Sequence, residues 1–221
     1  PRCFMLTIPI EVSARHVHVS QKDLETLFGE GHEMKPLKEL SQHNQYAARE
    51  TLEVQTPSSW GLPPDQEFTF GKSAGHNNIR ILGPVRDQTQ IELSWSDCIA
   101  LGVEPRVLLS GDLEKSVGGI ILIGPRGEVP VKKGIIVSKR HIHCNEDKAQ
   151  ELGFTHGQVV SVKVIDDDTD PDNNQSSPVR EITFHNVIIR THSTFDWHMH
   201  IDVDEGNAAG IKMTGIGEVL Q

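Results

Sequence analysis

The sequence predicts a mainly β chain, built as two small β-barrel domains with short capping helices and related by internal duplication. Three observations carry that expectation. Short apolar or alternating stretches recur along the chain, each cut off by glycine, proline or asparagine. Four stretches have helical spacing, and all are short. The frame Val12-Ser13-x-Arg15-His16-x-His18 returns as Val137-Ser138-x-Arg140-His141-x-His143. Such a pair of motifs in a chain with 12 histidines marks a repeated unit rather than coincidence.

Residues 4–12 read as a strand leading into the first histidine pair. Ser20-Gln21-Lys22-Asp23 has the form of a capped helix start, with Leu24, Leu27 and Phe28 at helical spacing and Gly29 as the stop. Residues 37–40 and 46–48 carry no decisive pattern, and 51–55 reads as a strand. Prolines and glycines from 57 to 78 predict a surface loop interrupted by a short strand at 67–70. Residues 79–82 form a strand broken by Gly83-Pro84, and 89–93 is the next. Ser94-Trp95-Ser96-Asp97 starts a second helix that runs to Gly102. Strands at 107–109, 119–123 and 128–131 complete the first half.

The second half follows the same plan. Residues 134–138 lead into the second histidine pair, Asn145 caps a helix ending at Gly153, and 158–165 is a strand. The acidic stretch 166–177, rich in Pro, Asn and Ser, is a solvated loop. Strands near 181–184, 187–190 and 197–201 precede a last helix from Asp202 to Gly210. The expected domains are residues 15–133 and 134–221.

At 221 residues the chain can bury one large or two small cores. A hydrophobic content of 36% with 24% charged residues is that of a globular protein. The net charge of -10 argues against a nucleic-acid or membrane-surface binder, so any phosphate recognition must be local. Cys3, Cys98 and Cys144 are odd in number and widely spaced, which excludes a disulfide framework and a Cys-x-x-Cys knuckle and suggests a reducing, intracellular setting. No apolar run reaches the roughly 20 residues of a membrane-spanning helix, and the first residues lack the features of a signal peptide.

The chemistry begins with the two His-x-His pairs. Side chains one apart on a strand share a face, so each pair can hold one metal ion. His18, Glu92, His143 and His200 each stand two residues before a helix cap, Ser20, Ser94, Asn145 and Asp202, and each helix then ends at a glycine. Aligned on that pattern, Glu92 and His200 become the third ligands of two equivalent half-sites. One is His16, His18 and Glu92; the other is His141, His143 and His200. Three protein ligands with an open position suit a catalytic zinc, and the donor types also suit manganese, iron or cobalt. His198-Met199-His200 is itself an His-x-His; the register favours His200 and leaves His198 as an outer donor or an exposed residue. Arg15 and Arg140 should point away from the metal by strand alternation and pair with carboxylates or reach a substrate from behind. Cys144, next to His143, should face the core. Arg86, after the Gly83-Pro84 turn, brings a guanidinium suited to bidentate phosphate binding.

The segments Ile8-Pro9-Ile10-x-Val12-Ser13-x-Arg15-His16-Val17-His18, Gly83-Pro84-x-Arg86, Arg140-His141-Ile142-His143 and Met199-His200-Ile201-Asp202-x-Asp204-Glu205-x-Asn207-Ala208-Ala209-Gly210, in that order, resemble the PduL-type phosphotransacylases, the phosphate propanoyltransferases. The resemblance implies acyl transfer between coenzyme A and inorganic phosphate at two zinc ions between two β-barrels. It puts the family's metal ligands on His16, His18, Glu92, His141, His143 and His200, and its phosphate-binding arginine on Arg86. It also implies that the N-terminal strand, 1–14, packs with the second domain. Homo-oligomers and a microcompartment shell are among the partners it allows, in a bacterial cytoplasm or microcompartment lumen. Three features depart from the family: longer stretches at 57–78 and 166–177, Gly206 in place of alanine, and no N-terminal encapsulation segment. From the residues alone, a binuclear metal-dependent hydrolase of thioesters or phosphoesters is the competing activity.

Overall fold

A computed structural model describes residues 5–56, 78–165 and 180–220. The strand expected at 67–70 and the loop expected at 166–177 lie outside them. The elements in chain order begin with β1 (Thr7–Ser13), β2 (His16–His18), α1 (Gln21–Phe28), β3 (Pro36–Glu39), β4 (Tyr46–Gln55), β5 (Asn78–Gly83) and β6 (Gln90–Leu93). They continue with α2 (Trp95–Ala100), β7 (Val107–Leu108), β8 (Ile120–Ile123), β9 (Glu128–Val131), β10 (Ile135–Ser138) and β11 (His141–Cys144). The last are α3 (Glu146–Leu152), β12 (Val159–Ile165), β13 (Thr183–Thr191), β14 (His198–Asp202), α4 (Val203–Ala209) and β15 (Thr214–Leu220). No helix among the described residues is long and apolar enough to cross a membrane.

The chain divides into two compact units, Pro1–Ala14 with Lys139–Gln221, and Arg15–Ser138. The first is a closed barrel in the order β1-β14-β11-β13-β12-β15, with β15 pairing back onto β1. The second is a nine-stranded sheet in the order β7-β10-β6-β2-β5-β4-β8-β9, with β3 on β4. Six strands of the sheet match the barrel in order and polarity. The run β10-β6-β2-β5-β4-β8 is parallel, antiparallel, parallel, antiparallel, antiparallel, as is β1-β14-β11-β13-β12-β15. The mainly β, duplicated architecture expected from the repeated motif is therefore what forms.

One consequence of the pairing was not legible locally. β1 leads in sequence into the first histidine pair but hydrogen-bonds within the barrel, to β14 and β15. β10 leads into the second pair but hydrogen-bonds to β6 and β7 of the sheet. Each unit thus takes a strand from the stretch that precedes the other's histidines.

Alternation explains how the strands that carry the candidate ligands are anchored. Ile91 and Leu93 of β6 enter the apolar core of the sheet unit with Val17, Val54, Ile81 and Ile135. Ile142 and Cys144 of β11 enter the barrel core with Ile8, Ile10, Val162, Ile189 and Met199. Each such residue sends one apolar side chain inward and turns its polar neighbour to the other face. Full burial of an Ile or Leu side chain contributes about 1.5–3 kcal/mol, which pins these strands in register.

Two strands escaped the sequence reading. β3 is exposed along its whole length, so no apolar period announces it. β15 contains Gly215 and Gly217, which weaken any strand signal. In the barrel a Cβ on Gly217 would lie 2.5 Å from Val162 Cγ1, so the closing strand needs glycine to approach β12. The two halves of β4, which looked separate, are one strand with a bulge between Ala47 and Thr51, where Arg80 Nη1 donates to the Ala48 carbonyl at 2.7 Å.

Candidate metal centre

In the sheet unit, β2 and β6 run antiparallel with His16 opposite Glu92 and His18 opposite Gln90. Directly opposed residues share a face, so all four side chains project together. The donor atoms of His16, His18 and Glu92 lie within 4.8 Å of one another, and Glu92 Oε2 is 3.6 Å from His16 Nε2. All three residues are largely shielded from solvent. Burial, then the charges of His16 and Arg86, push His18 down to about 3, so its ring is neutral and a lone pair is available. Burial acts to raise Glu92, but His16 beside it, helped by hydrogen bonds from His16 and Ser110, holds the carboxyl well below its ordinary range. A neutral imidazole and a carboxylate are the protonation states a metal requires.

Arg86 is fixed by the loop after β5. Gly83-Pro84 is a cis peptide bond, and the Arg86 amide donates to the Val19 carbonyl at 2.9 Å, beside β2. Its Nη1 lies 3.5 Å from Ser110 Oγ, and its charge acts on His18. The structure thus brings Arg86 to the edge of the His16, His18 and Glu92 group.

Two residues in this group were passed over in the sequence. Gln90 Nε2 donates to Glu92 Oε1 at 2.6 Å and to Ser110 Oγ at 2.8 Å. Ser110 Oγ is itself 2.8 Å from Glu92 Oε1, and the Gly111 amide donates to Gln90 Oε1 at 2.8 Å. Gln90 had a local signal, since it stands two before Glu92 and must share its face. Ser110 had none: it lies in a turn after β7 and arrives through tertiary pairing.

In the barrel unit the register repeats. His141 stands opposite His200 and His143 opposite His198 across β11 and β14. The three rings of His141, His143 and His200 contact one another, with centroids 4.6, 5.3 and 4.7 Å apart. His141 Nδ1 is 2.8 Å from the Lys139 carbonyl, which makes Nδ1 the protonated nitrogen and turns the Nε2 lone pair toward the cluster. Phe195, also passed over, covers His143 with centroids 4.0 Å apart. His200 joins the ring cluster, whereas His198 takes the register position of Gln90 and its Nδ1 is buried with no hydrogen-bond partner among the described residues.

The two arginines of the repeated frame turn away from the candidate ligands and find carboxylates at equivalent places. Arg15 Nη1 binds Asp97 Oδ1 at 3.0 Å, and Arg140 Nε binds Glu205 Oε1 at 2.5 Å. Asp97 and Glu205 are each the third residue of α2 and α4, where they also close capping boxes with Ser94 and Asp202. Each histidine pair is thereby tied to the helix that follows the third candidate ligand. Cys144 is buried in the barrel core, facing away from His143's cluster.

These residues fit a metal. Among the described residues His18 Nδ1 is buried with no hydrogen-bond partner, a loss that coordination would offset. His141 Nε2 and His143 Nε2 are 3.1 Å apart, close to the roughly 3.3 Å between two nitrogens on a tetrahedral zinc with bonds of about 2.0–2.1 Å.

The family model for phosphate propanoyltransferase matches residues 9–62 and 65–212. A phosphate propanoyltransferase of Thermotoga maritima is 42% identical over 202 residues, covering 91% of this chain and 83% of that protein. One from Lachnoclostridium phytofermentans is 39% identical over 213 residues, covering 96% and 87%. One from Clostridioides difficile is 34% identical over 214 residues, covering 97% and 89%. Both candidate groups and Arg86 fall inside the matched span, and the chain belongs to the phosphate propanoyltransferase family.

Proposed function

We propose that this chain transfers a short acyl group, acetyl or propanoyl, between coenzyme A and inorganic phosphate by direct transfer, with one zinc ion held in each half-site. Family membership supports the acyl transfer and its two substrates. The observation that carries the reading is Arg86 beside the group of His16, His18 and Glu92: an anion-binding guanidinium next to a donor set with an open position.

Bound zinc would supply Lewis acidity toward an acyl or phosphoryl oxygen and a resting place for thiolate. The chain's own residues do the rest. Arg86 binds phosphate through its planar N–H fork and offsets its charge. His16, His18 and Glu92 would hold one ion beside Arg86, and His141, His143 and His200 would hold the other. A phosphate oxygen forms its bond to the acyl carbon as the carbon–sulfur bond breaks, and the electron pair leaves with coenzyme A as thiolate. Cys98 and Cys144, the cysteines among the described residues, are buried, which supports transfer without an acyl-enzyme on either of them. The proposal extends to a bacterial cytoplasm or microcompartment lumen, with a homo-oligomer or shell as partners to look for.

The test supplies acetyl-CoA or propanoyl-CoA with and without phosphate. Release of free coenzyme A that requires phosphate, with acyl phosphate formed in equal amount, is the expected result. Release that proceeds equally without phosphate means hydrolysis and overturns the reading. A covalent acyl adduct on the protein overturns direct transfer.

A further inference from the structure

We infer that Gln90 and Ser110 are positioning residues that clamp one oxygen of Glu92, leaving the other as the single carboxylate oxygen offered to a metal, and that Ser110 ties this clamp to Arg86. The inference rests on the metal reading above and goes beyond it to what orients the ligand.

The hydrogen-bond directions are fixed by the donors present. The Gly111 amide can only donate, so the Gln90 atom it meets is the carbonyl oxygen and the other terminal atom is the NH2 group. That group donates to Glu92 Oε1 and to Ser110 Oγ. Ser110 therefore accepts from Gln90 and spends its one proton on Glu92 Oε1. Two donors on Oε1 hold the carboxylate in one rotamer, while Oε2 faces His16 Nε2. Gln90 is 1% exposed, so water does not replace these bonds if one is lost. Arg86 Nη1 approaches the remaining lone pair of Ser110 Oγ. With its oxygen engaged by two donors, Ser110 is a poor nucleophile, and its hydroxyl serves as a link between the phosphate-side arginine and the metal-side carboxylate. The barrel has a different residue in the equivalent place, His198, so this clamp belongs to the Glu92 half-site.

The experiment measures zinc affinity of the full chain by chelator competition, without turnover. Wild type is expected to bind two zinc ions. Ser110→Ala and Gln90→Met are each expected to weaken one of them by about 10–100-fold, the usual effect of losing an outer partner, and to leave the second unchanged. Ser110→Thr keeps a hydroxyl and restores affinity. With cobalt(II) in place of zinc, Ser110→Ala changes the visible absorption as the carboxylate swings toward two-oxygen coordination; a merely structural role would not. Ser110 is half-buried in a turn, so its alanine variant keeps the fold, checked by circular dichroism. Wild type that binds zinc while both variants keep its affinity and cobalt spectrum overturns the clamp alone. Wild type that binds no zinc overturns the metal reading and the clamp with it.

Discussion

Glu92 lies directly across the β2–β6 ladder from His16, with Oε2 3.6 Å from Nε2. His200 holds the same place opposite His141 on β14 and β11. Because ladder register sets which side chains face each other, neither third residue can be supplied by a neighbour one step along its strand. Glu92→Gln is expected to reduce bound zinc from two ions to one per chain, and His200→Ala to do the same at the other half-site. Metal analysis after dialysis against a weak chelator checks both. Two ions retained in either variant would remove that residue from the ligand set.

Arg86 is expected to act on phosphate rather than on metal. Charge-assisted hydrogen bonds contribute about 1.5–3 kcal/mol, so Arg86→Ala should lower kcat/KM for phosphate by roughly 10–150-fold. Arg86→Lys restores the charge without the planar fork and should recover only part of the loss. Steady-state kinetics with phosphate varied at saturating acyl-CoA gives the numbers. Unchanged zinc content in both variants separates this loss from a metal effect.

Much of this site was legible because the duplication acts locally. The frame around His16 and His18 and its copy at His141 and His143 gave the strands, and the helix caps at Ser94 and Asp202 set the register of Glu92 and His200. Arg15 and Arg140 were expected to turn from the ligands, and they bind Asp97 and Glu205. What stayed hidden depends on pairing between distant segments. Ser110 reaches Glu92 only because β7 lies beside β10 and β10 beside β6. β15 is a strand because the barrel closes on it, and its glycines give no local reason for one. The affiliation of β10 with β6 and β7 runs against its sequence neighbour β11, and chain order carries no signal of that exchange.

His18 gives the metal-free protein a defined pH response. Its folded value of about 3 lies below the ordinary 6.5, so between these limits the unfolded chain takes up a proton that the fold refuses. Its contribution is fully present above about 6.5 and is lost as pH falls toward about 3. Urea denaturation of metal-free wild type from pH 4 to pH 6 should show stability falling with acid. The slope should exceed that of His18→Asn by up to about 1.4 kcal/mol per pH unit, the value for one proton. Equal slopes would mean that His18 titrates normally in the folded chain.

Gly206 sits inside α4, where replacing glycine by alanine usually stabilises by about 0.5–1 kcal/mol. Here the added Cβ would stand 2.8 Å from Val12 Cγ2, 3.1 Å from Val12 Cγ1 and 3.0 Å from the Ile211 carbonyl oxygen. Val12 is buried on β1 and branched at Cβ, so its rotation is restricted, and the Ile211 oxygen is backbone. Overpacking of this kind costs about 1–3 kcal/mol, which exceeds the helix gain. Gly206→Ala is therefore expected to destabilise the barrel by about 1–2 kcal/mol, read as a lower urea midpoint with unchanged slope. Combining it with Val12→Ala removes two of the three close contacts, so the pair should be less destabilised than the sum of the single changes. An alanine variant more stable than wild type would show that β1 and α4 can separate without loss, and that the close approach of Gly206 to Val12 is not what holds α4 against the barrel.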